Sequence, residues 1–279
     1  MPSKSHTETW LVTGSSSGLG RALCEQLLLS GRRVICSARN PDDVSALVNA
    51  YPDRAFALQL DVSDPQGVQR AVTDAIASHG AIDVLVNNAG FGHFGALEEI
   101  TEPEVNVAFD VNVFGPYRVM RAILPHFRAR GTGLVLNVSS MMGFIGAAGF
   151  GLYCATKFAL DGWPEAMSLE LKPFGIRVVA LEPGPFRTEF RGRSLRMSAP
   201  HPAYAETTGL MRDNVLKGHG QQPGDPVKAA QFIIAVSEDS NPPIRVPIGP
   251  VAIEAFRNKL ARFQDDIAMW DERAAATHF

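Results

Sequence analysis

Tyr153 and Lys157 are the two residues of this sequence whose types and spacing most directly suggest chemistry. They lie four positions apart in LYCATKFALDGW, residues 152–163, so on a helix their side chains would be neighbours on one face. A phenol with a pKa near ~10 is too weak a base at neutral pH. An ammonium about 4 Å away, at an effective dielectric constant of ~20, stabilises the phenolate by up to about 4 kcal/mol. The pair therefore predicts a tyrosine that gives or takes a proton near neutral pH, although a surface helix pair has the same spacing.

Pro164 follows this pair on the same predicted helix. Its missing N–H leaves the carbonyl of Leu160 without a helical partner, beyond the turn that carries the chemistry. We expect a kink between Leu160 and Pro164, with the helix resuming over EAMSLELK, residues 165–172.

A second group of residues suggests an anion-binding turn. TGSSSGLG, residues 13–20, follows the apolar run TWLV and precedes a helical segment. Glycines at such a turn let the backbone approach a pyrophosphate, and the first N–H groups of the helix attract its negative charge. A plain strand-to-helix turn is the alternative interpretation of the glycines alone.

The elements that must position these residues alternate along the chain. Seven short apolar runs read TWLVTG, RRVICSA, RAFALQLDV, IDVLVNNAG, GLVLNVSS, IRVVALEPG and IRVPIG. Continuous apolar strands separated by helical segments predict a parallel sheet that is covered on both faces. Glycines at positions 31, 80 and 131 mark helix ends. With right-handed crossovers we expect an α/β fold of the Rossmann type, a doubly wound parallel sheet of about seven strands in three layers, α/β/α.

Two stretches interrupt the alternation. Residues 185–226 are rich in Arg, Pro and Gly and longer than a usual connection, which predicts a lid or substrate loop. Residues 250–279 predict an amphipathic helical tail that packs on the sheet edge or on a partner subunit. We expect residues 1–279 to form a single dinucleotide-binding and catalytic domain.

The composition of the chain limits the classes of molecule that it is expected to bind. The chain has 279 residues, 46% of them hydrophobic, and a net charge of -3, so it lacks the basic field of a nucleic-acid binder. Its first ten residues are polar, and no apolar run is long enough to span a membrane. We expect a small-molecule partner, no nucleic acid, no membrane, no metal and a cytoplasmic location.

The three cysteines, Cys24, Cys36 and Cys154, form no CxxC pair. An odd number without such a motif is typical of reduced thiols in a reducing compartment. Cys154 lies beside Tyr153, but a small buried residue is a simpler interpretation than a nucleophile.

The glycine spacing, TGxxxGxG, resembles the fingerprint of the short-chain dehydrogenase/reductase family. NNAG, residues 87–90, is similar to that family's second motif, and Asp61 in LDV to its adenine-side aspartate. Asn112, Ser140, Tyr153 and Lys157 resemble its catalytic tetrad residue by residue. The resemblance covers roughly residues 9–184. NNAGFGHFGALEE and the PIG strand with its helical tail resemble the steroid- and retinol-dehydrogenase-like members most.

The resemblance implies hydride transfer between the C4 atom of a nicotinamide and a carbonyl or alcohol carbon. Ser140 would hold the substrate oxygen, and Tyr153 would be the general acid in reduction and the base in oxidation. Lys157 would lower the pKa of Tyr153 and bind the nicotinamide ribose. Asn112 would hold a water that relays protons to Lys157, and Thr188, in EPGPFRT, would contact the carboxamide.

The end of the second strand bears on the choice of nucleotide. Ala38 stands where an acid would bind the ribose hydroxyl of NAD, and Arg39 follows. A cation at this place suits the 2′-phosphate of NADP, so we expect NADP, with NAD possible. The expected cofactor-binding residues are Gly14, Ser16, Ser17, Gly18, Leu19, Gly20, Arg39, Asp61, Val62, Asn88, Ala89, Gly90, Tyr153, Lys157, Pro183, Gly184 and Thr188.

The substrate is less well specified. Expected pocket residues are Ser140, His93, Phe94, Phe144, Phe150, Phe186 and Phe190, which predict an apolar, cyclic or aromatic carbonyl or alcohol. Ser139 competes with Ser140, but the strand pleat lets only one of them face the substrate. Arginines 187, 191, 193 and 196 form either a solvated lid face or contacts to an acidic ligand.

Three function classes remain open at this point. They are an NADP(H)-dependent reductase or dehydrogenase, an epimerase or dehydratase on the same fold, and a non-catalytic dinucleotide sensor. The intact tetrad argues against the sensor, and the absence of a larger substrate domain argues against the epimerase. We expect a homodimer or homotetramer.

Overall fold

A computed structural model describes residues 7–278 of the chain. Its strands, in chain order, are β1 (Thr9–Val12), β2 (Arg33–Ala38), β3 (Ala55–Gln59), β4 (Val84–Asn87), β5 (Gly92–Phe94), β6 (Gly133–Val138), β7 (Ile176–Pro183), β8 (Leu195–Met197) and β9 (Arg245–Ile248). Seven of them form a parallel sheet in the order β3-β2-β1-β4-β6-β7-β9, and β5 pairs with β8 in a separate ribbon. The sequence order reverses between β1 and β4, and ligands bind at such a switch point in open α/β sheets.

Nine α-helices connect or flank these strands within the described residues. They are α1 (Gly18–Leu29), α2 (Ser45–Ala50), α3 (Pro65–His79), α4 (Glu102–Phe109), α5 (Gly115–Arg130), α6 (Gly151–Leu171), α7 (Leu210–Lys217), α8 (Pro226–Glu238) and α9 (Pro250–Ala275). The helix ends expected at Gly31, Gly80 and Gly131 coincide with the ends of α1, α3 and α5.

Both faces of the sheet are buried, which explains why its strands are continuously apolar. On β1, Trp10 and Val12 belong to one core cluster and Leu11 to the other. The first cluster includes Leu27 of α1 and Ile233 of α8, and the second is built with α3 and α5. The predicted three-layer, Rossmann-type fold is confirmed.

The expected lid segment, residues 185–226, has its own secondary structure. Its two ends meet in a bridge between Phe186 and Gly224, where the Arg187 N–H donates to the Gly224 carbonyl at 2.8 Å. Strand β8 and helix α7 lie between these ends. The segment is therefore an ordered loop with closed ends rather than an extended connection.

The C-terminal tail is helical, as predicted, but it packs on the body only at its start. Ala252 is buried beside the sheet, whereas all residues from Leu260 to His278 are exposed. The sheet edge therefore contacts only the start of the tail, and packing of the remainder on a partner subunit stays a prediction. None of the helices described in residues 7–278 has the length and apolar character needed to span a membrane.

Helix α6 runs without a break from Gly151 to Leu171, with Pro164 inside it. The residues after the proline are helical, as expected, and a short 3-10 turn, Lys172–Phe174, follows. The bend of the helix axis near Leu160 stays a prediction.

Candidate active site

A cleft of about 800 Å³ lies at the carboxyl ends of β1, β4, β6 and β7. It is bordered by twenty of the residues expected from the sequence: Gly14, Ser16, Ser17, Gly18, Leu19, Arg39, Asp61, Val62, Asn88, Ala89, Gly90, Ser140, Phe150, Tyr153, Lys157, Pro183, Gly184, Phe186, Thr188 and Phe190. The expected residues that do not border it are Gly20, His93, Phe94, Asn112 and Phe144. Most of the residues predicted around the glycine turn and around the Tyr153–Lys157 pair thus border one cleft.

The glycine turn at one end of the cleft is locked onto the NNAG motif. The Thr13 hydroxyl accepts hydrogen bonds from the N–H groups of Asn88 at 2.9 Å and Ala89 at 3.0 Å, and the Asn88 amide donates to the Gly14 carbonyl at 3.0 Å. A Cβ at Gly20 would lie 2.3 Å from the Asn88 Nδ2 atom. Gly20 therefore supports the turn without bordering the cleft, because a side chain at this position would displace the turn.

The start of α1 leaves backbone donors for an anion. Ser17 is the N-cap residue, but its side chain caps no N–H group. The first N–H groups of a helix have no partner within it and carry partial positive charge. Together with the close backbone approach at Gly14, this cradle fits the pyrophosphate of a dinucleotide.

The end of the cleft expected to hold the adenine carries one cation, Arg39, and two carboxylates, Asp43 and Asp61. Arg39 borders it directly after the buried Ala38. The Asp61 carboxylate accepts hydrogen bonds from the Ser63 hydroxyl at 2.6 Å and the Ser63 N–H at 2.9 Å, and these contacts hold the pKa of Asp61 below its usual value. Asp61 is thus ionised and fixed at neutral pH.

At the opposite end, helix α6 presents Tyr153 and Lys157 to the cleft. The Lys157 Nζ atom donates to the Val138 carbonyl at 2.9 Å and lies 5.7 Å from the centre of the Tyr153 ring. Both side chains are about 5% exposed. Burial lowers the pKa of Lys157 to about 8, while the Asp161 carboxylate acts in the opposite direction.

The pKa of the Tyr153 phenol differs from the lowered value that the sequence predicted. Burial raises its pKa above the ordinary value, and the Ser140 hydroxyl opposes that increase by hydrogen bonding. Lys157 is directed at the end of β6 instead of at the phenol, so the lowering expected from an ammonium about 4 Å away is absent in this arrangement.

Ser140 and Ser139 both border the cleft but have different partners. Ser140 acts on the Tyr153 phenol and accepts a hydrogen bond from the Met142 N–H at 3.1 Å. Ser139 favours the ionised form of the Asp161 carboxyl, but its buried hydroxyl makes no hydrogen bond with a described residue. Both serines lie beyond the end of β6, so the strand pleat does not separate them, and Ser140 is the one that acts on Tyr153.

Asn112 lies one layer behind the cleft, on an irregular turn that the sequence did not reveal. Residues Asp110–Phe114 form a π-helical turn between α4 and α5, of a kind frequent at functional sites. The Asn112 side chain donates to the Phe91 carbonyl at 2.9 Å and accepts from the Phe91 N–H at 3.0 Å. A Cβ at Gly90 would lie 3.0 Å from the Asn112 Oδ1 atom and 3.8 Å from the Lys157 Nζ atom, so these groups meet at Gly90.

A buried acidic pair behind Lys157 also escaped the sequence analysis. Asp161, one turn further along α6, and Glu182, just before the PG motif, are 1% and 0% exposed. Arg245 of β9 binds both, at 3.1 Å to Asp161 and 2.9 Å to Glu182. Burial and the neighbouring Asp161 raise the pKa of Glu182 to about 8, and burial raises that of Asp161. The four-residue spacing from Lys157 to Asp161 was the one available sequence signal.

Three of the expected pocket residues lie elsewhere. His93 is 1% exposed, and its Nε2 atom is hydrogen-bonded to the Ser198 hydroxyl at 2.8 Å. Phe94 is fully buried, and Phe144 stacks on Phe256 with ring centroids 4.3 Å apart. His93 and Phe94 are withdrawn because β5 pairs with β8, a long-range contact that no local pattern indicates.

Other apolar side chains border the chemical end in their place. Phe91, Met141 and Met142 join Phe150 and Phe190 there. The Tyr153 and Phe190 rings lie 5.3 Å apart between centroids. The surroundings of the phenol are therefore aromatic and apolar, with few polar groups.

The four arginines considered in the sequence analysis, at positions 187, 191, 193 and 196, are divided between two roles. Arg187 donates to the Gln222 carbonyl at 3.2 Å and helps to close the loop. Arg191, Arg193 and Arg196 border the cleft, and none of the three forms an ion pair with another described residue of the chain. Glu189 also borders the cleft here, so the three arginines give this part of its rim a net positive charge.

Comparison with known proteins relates this chain to a protein family. A family model described as short chain dehydrogenase matches residues 8–198. Oxidoreductase BOA17 of Botryotinia fuckeliana (strain B05.10) is 36% identical over 249 residues, 89% of this chain and 91% of that protein. A 3-ketodihydrosphingosine reductase of Bacteroides thetaiotaomicron is 32% identical over 93% of this chain and 94% of that protein.

Solved structures agree with these sequence matches. A short-chain dehydrogenase from Streptomyces avermitilis is 42% identical, with a TM-score of 0.91 over 98% of this chain and all of that one. A short chain dehydrogenase from Burkholderia cenocepacia, in complex with NADP, is 26% identical with a TM-score of 0.74 over 94% and 97% of the two chains. A 3-ketoacyl-(acyl-carrier-protein) reductase from Brucella melitensis, complexed with NADH, is 27% identical with a TM-score of 0.72 over 86% and 96%.

Proposed function

The chain belongs to the short-chain dehydrogenase family, and on that premise we propose that it transfers a hydride between NADP(H) and the carbonyl or alcohol carbon of an apolar, cyclic or aromatic small molecule. The observation that carries the proposal is the shared cleft, in which the glycine turn and Arg39 lie at one end and Tyr153 and Ser140 at the other. The family match supports an oxidoreductase that uses a nicotinamide dinucleotide.

In the reducing direction, Tyr153 donates the proton. The Ser140 hydroxyl holds the substrate oxygen by a hydrogen bond and directs it toward the phenol, which then protonates that oxygen. The nicotinamide, when bound, supplies the hydride in reduction and accepts it in oxidation. In oxidation the Tyr153 phenolate removes the proton from the alcohol.

Lys157 and Asn112 support this proton transfer without contacting the substrate. Lys157, with its pKa lowered to about 8, exchanges protons near neutral pH and binds the nicotinamide ribose. Asn112, held by Phe91, keeps a water that relays protons to Lys157. When the cleft fills, we expect the ammonium to leave the Val138 carbonyl for the ribose and the phenol, which lowers the pKa of Tyr153.

The preference for NADP depends on Arg39. A cation that borders the cleft just after Ala38 suits a 2′-phosphate, and no carboxylate stands at that position to bind the 2′-hydroxyl of NAD. The complexes of relatives with NADP and with NADH are compatible with either nucleotide.

The substrate class depends on the chemical end. Phe150, Phe190 and Met142 offer an apolar surface beside Tyr153, which supports an apolar ring. The reductase names of two relatives support a ketone as the group that reacts. The resemblance to steroid- and retinol-dehydrogenase-like members stays a prediction, as does the cytoplasmic location that three free, buried cysteines favour.

One experiment tests the proposal. Purified protein is supplied with NADPH or NADH and a panel of cyclic, aromatic and aliphatic ketones and aldehydes, and loss of nucleotide absorbance is followed. We expect oxidation of NADPH in preference to NADH, fastest with apolar cyclic or aromatic carbonyls. Nucleotide binding without turnover on any carbonyl or alcohol would favour a sensor. A product isomerised at carbon, with no net change of the nucleotide, would favour an epimerase.

A further inference from the structure

The distal part of α9 is an exposed helical arm. Ala252 is buried, and Phe256 packs on Phe144, while the Lys259 ammonium donates to the Phe144 carbonyl. From Leu260 onward every described residue of the helix is exposed. Residues 260–275 therefore form an arm about 24 Å long at 1.5 Å per residue. The arm continues a helix that is anchored only at its start, and most helical stability in proteins comes from tertiary packing, so a partner surface would stabilise it.

The exposed side chains of the arm are not randomly distributed. Leu260, Phe263, Ile267 and Trp270 are spaced by three, four and three residues, and all are more than half exposed. The same alternation extends back to Phe256 and forward to Ala274. This spacing places apolar residues at the a and d positions of a heptad, which is the pattern of a helix that pairs with another helix. We call these four exposed residues the α9 stripe.

We propose that the α9 stripe pairs with the α9 stripe of a second copy of this chain in antiparallel orientation. The charges of α9 are polarised along its length. Its first half carries Arg257, Lys259 and Arg262 with one carboxylate, Glu254, so it is net basic. Its second half carries Asp265, Asp266, Asp271 and Glu272 with one cation, Arg273, so it is net acidic. In an antiparallel pair each basic half faces the acidic half of the other copy, and the helix dipoles also oppose. A parallel pair would place like charges together.

The same charges argue against a membrane surface as the partner. Interfacial helices carry Lys and Arg on the polar face, where they meet anionic lipid headgroups. The outer half of α9 carries four carboxylates beside the single Arg273. An acidic arm tip is repelled by such a surface, so a second copy of the arm fits better.

The mass of the full-length protein in solution tests the pairing. Ile267→Lys places a charge in the α9 stripe, and Met269→Lys is its matched control, because Met269 is exposed on the same helix but lies off the stripe. By chromatography with light scattering, the wild-type particle should have twice the mass of the Ile267→Lys particle, with association weakened about 30-fold or more. Met269→Lys should keep the wild-type mass. Equal masses for all three proteins, or a monomeric wild type, would overturn the proposal.

Vesicle flotation separates the membrane alternative. Wild-type protein mixed with phosphatidylcholine and phosphatidylserine vesicles should stay in the unbound fraction. Flotation of wild type that is lost in Ile267→Lys would replace the second copy with a lipid surface.

A charge-reversal cycle tests the orientation. Arg257 and Asp271 lie fourteen positions apart, too far to meet within one helix, but they face each other across an antiparallel pair. Arg257→Glu and Asp271→Arg should each weaken association about three- to fivefold, as exposed ion pairs do. The double variant should restore it, because the new charges again oppose. Additive losses would rule out this antiparallel arrangement.

The outcome is independent of the proposed activity. The arm bears no residue of the cleft, so the Ile267→Lys protein should fold normally and keep its turnover per protomer. A failed pairing test would leave the activity proposal intact, and an inactive enzyme would leave the pairing intact.

Discussion

The two ends of the cleft achieve their chemistry in opposite ways. The phosphate end is built from glycines and backbone N–H groups, and the exposed Arg39 lies beyond it, at the adenine end. The chemical end is built from buried ionisable side chains, with Tyr153 and Lys157 in front and Asp161 and Glu182 behind. At the phosphate end, the shape of the backbone turn determines whether an anion can bind, because backbone N–H groups reach a ligand only where no side chain intervenes. At the chemical end, lost hydration shifts each pKa, and this makes proton transfer sensitive to its surroundings.

This difference predicts that the two ends can be damaged separately. A side chain added at the phosphate end should remove binding, whereas an atom removed at the chemical end should remove turnover. Changes behind the chemical end should appear in how stability depends on pH.

The largest expected effect is on turnover at the chemical end. Tyr153→Phe removes the hydroxyl that we propose as the proton donor, so kcat should fall about 100- to 10,000-fold. Tyr117→Phe, at a partly exposed tyrosine of α5, is the matched control and should keep wild-type kcat. Steady-state rates with the best carbonyl of the panel give both values. Turnover of Tyr153→Phe within tenfold of wild type would show that another group moves the proton.

A similar but distinct loss is expected at the phosphate end. Gly20→Ala puts a Cβ 2.5 Å from the Gly14 carbonyl oxygen, so the turn must move, and dinucleotide affinity should fall about 100-fold. Gly162→Ala, on α6 with no heavy atom within 4 Å of the added Cβ, should bind like wild type. Titration of nucleotide fluorescence measures both. Unchanged affinity in Gly20→Ala would show that the turn does not shape the site.

The buried acidic pair predicts a pH dependence of stability. Because the folded protein raises the pKa of Glu182 from 4.5 to about 8, it retains a proton that the unfolded chain releases across that range. The contribution of Glu182 to stability is thus fully present below pH 4.5 and is lost as the pH rises to about 8, by a few kcal/mol.

Glu182→Gln mimics the protonated side chain, so the fall in unfolding free energy between these pH values should become shallower. Glu170→Gln, at an exposed position of α6, is the control and should keep the wild-type slope. Urea unfolding at a series of pH values measures the slopes. A slope in Glu182→Gln equal to that of wild type would place the titrating group elsewhere.

The smallest expected effect concerns the exposed cation at the adenine end. If Arg39 holds the 2′-phosphate as proposed, Arg39→Ala removes a charge-assisted contact, so KM for NADPH should rise about tenfold or more. KM for NADH should change little and serves as the internal control. An equal change for both nucleotides would refute the assignment of NADP preference to Arg39.

Much of the fold could be predicted because its signals are local. Each strand is a continuous apolar run, and the glycine turn and the Tyr153–Lys157 pair lie within short windows of sequence. The reversal of strand order between β1 and β4 then brings these windows to one cleft. The seven parallel strands and the shared cleft follow from that combination.

What the sequence did not reveal depends on contacts between distant residues. The pairing of β5 with β8 withdraws His93 and Phe94 from the cleft, and Arg245 reaches Asp161 across more than eighty positions. Lys157 likewise donates to the carbonyl of Val138, nineteen positions away, and burial lowers its pKa. Pair spacing alone therefore overstated how strongly Lys157 acts on Tyr153.

The central claim is that one end of the cleft binds and the other reacts. Its most direct test is the NADPH dissociation constant of Tyr153→Phe and Gly20→Ala, measured side by side with wild type. We predict that Tyr153→Phe binds NADPH within about twofold of wild type, because the phosphate end carries the affinity, and that Gly20→Ala binds about 100-fold more weakly. Loss of binding in Tyr153→Phe together with wild-type affinity in Gly20→Ala would contradict the account.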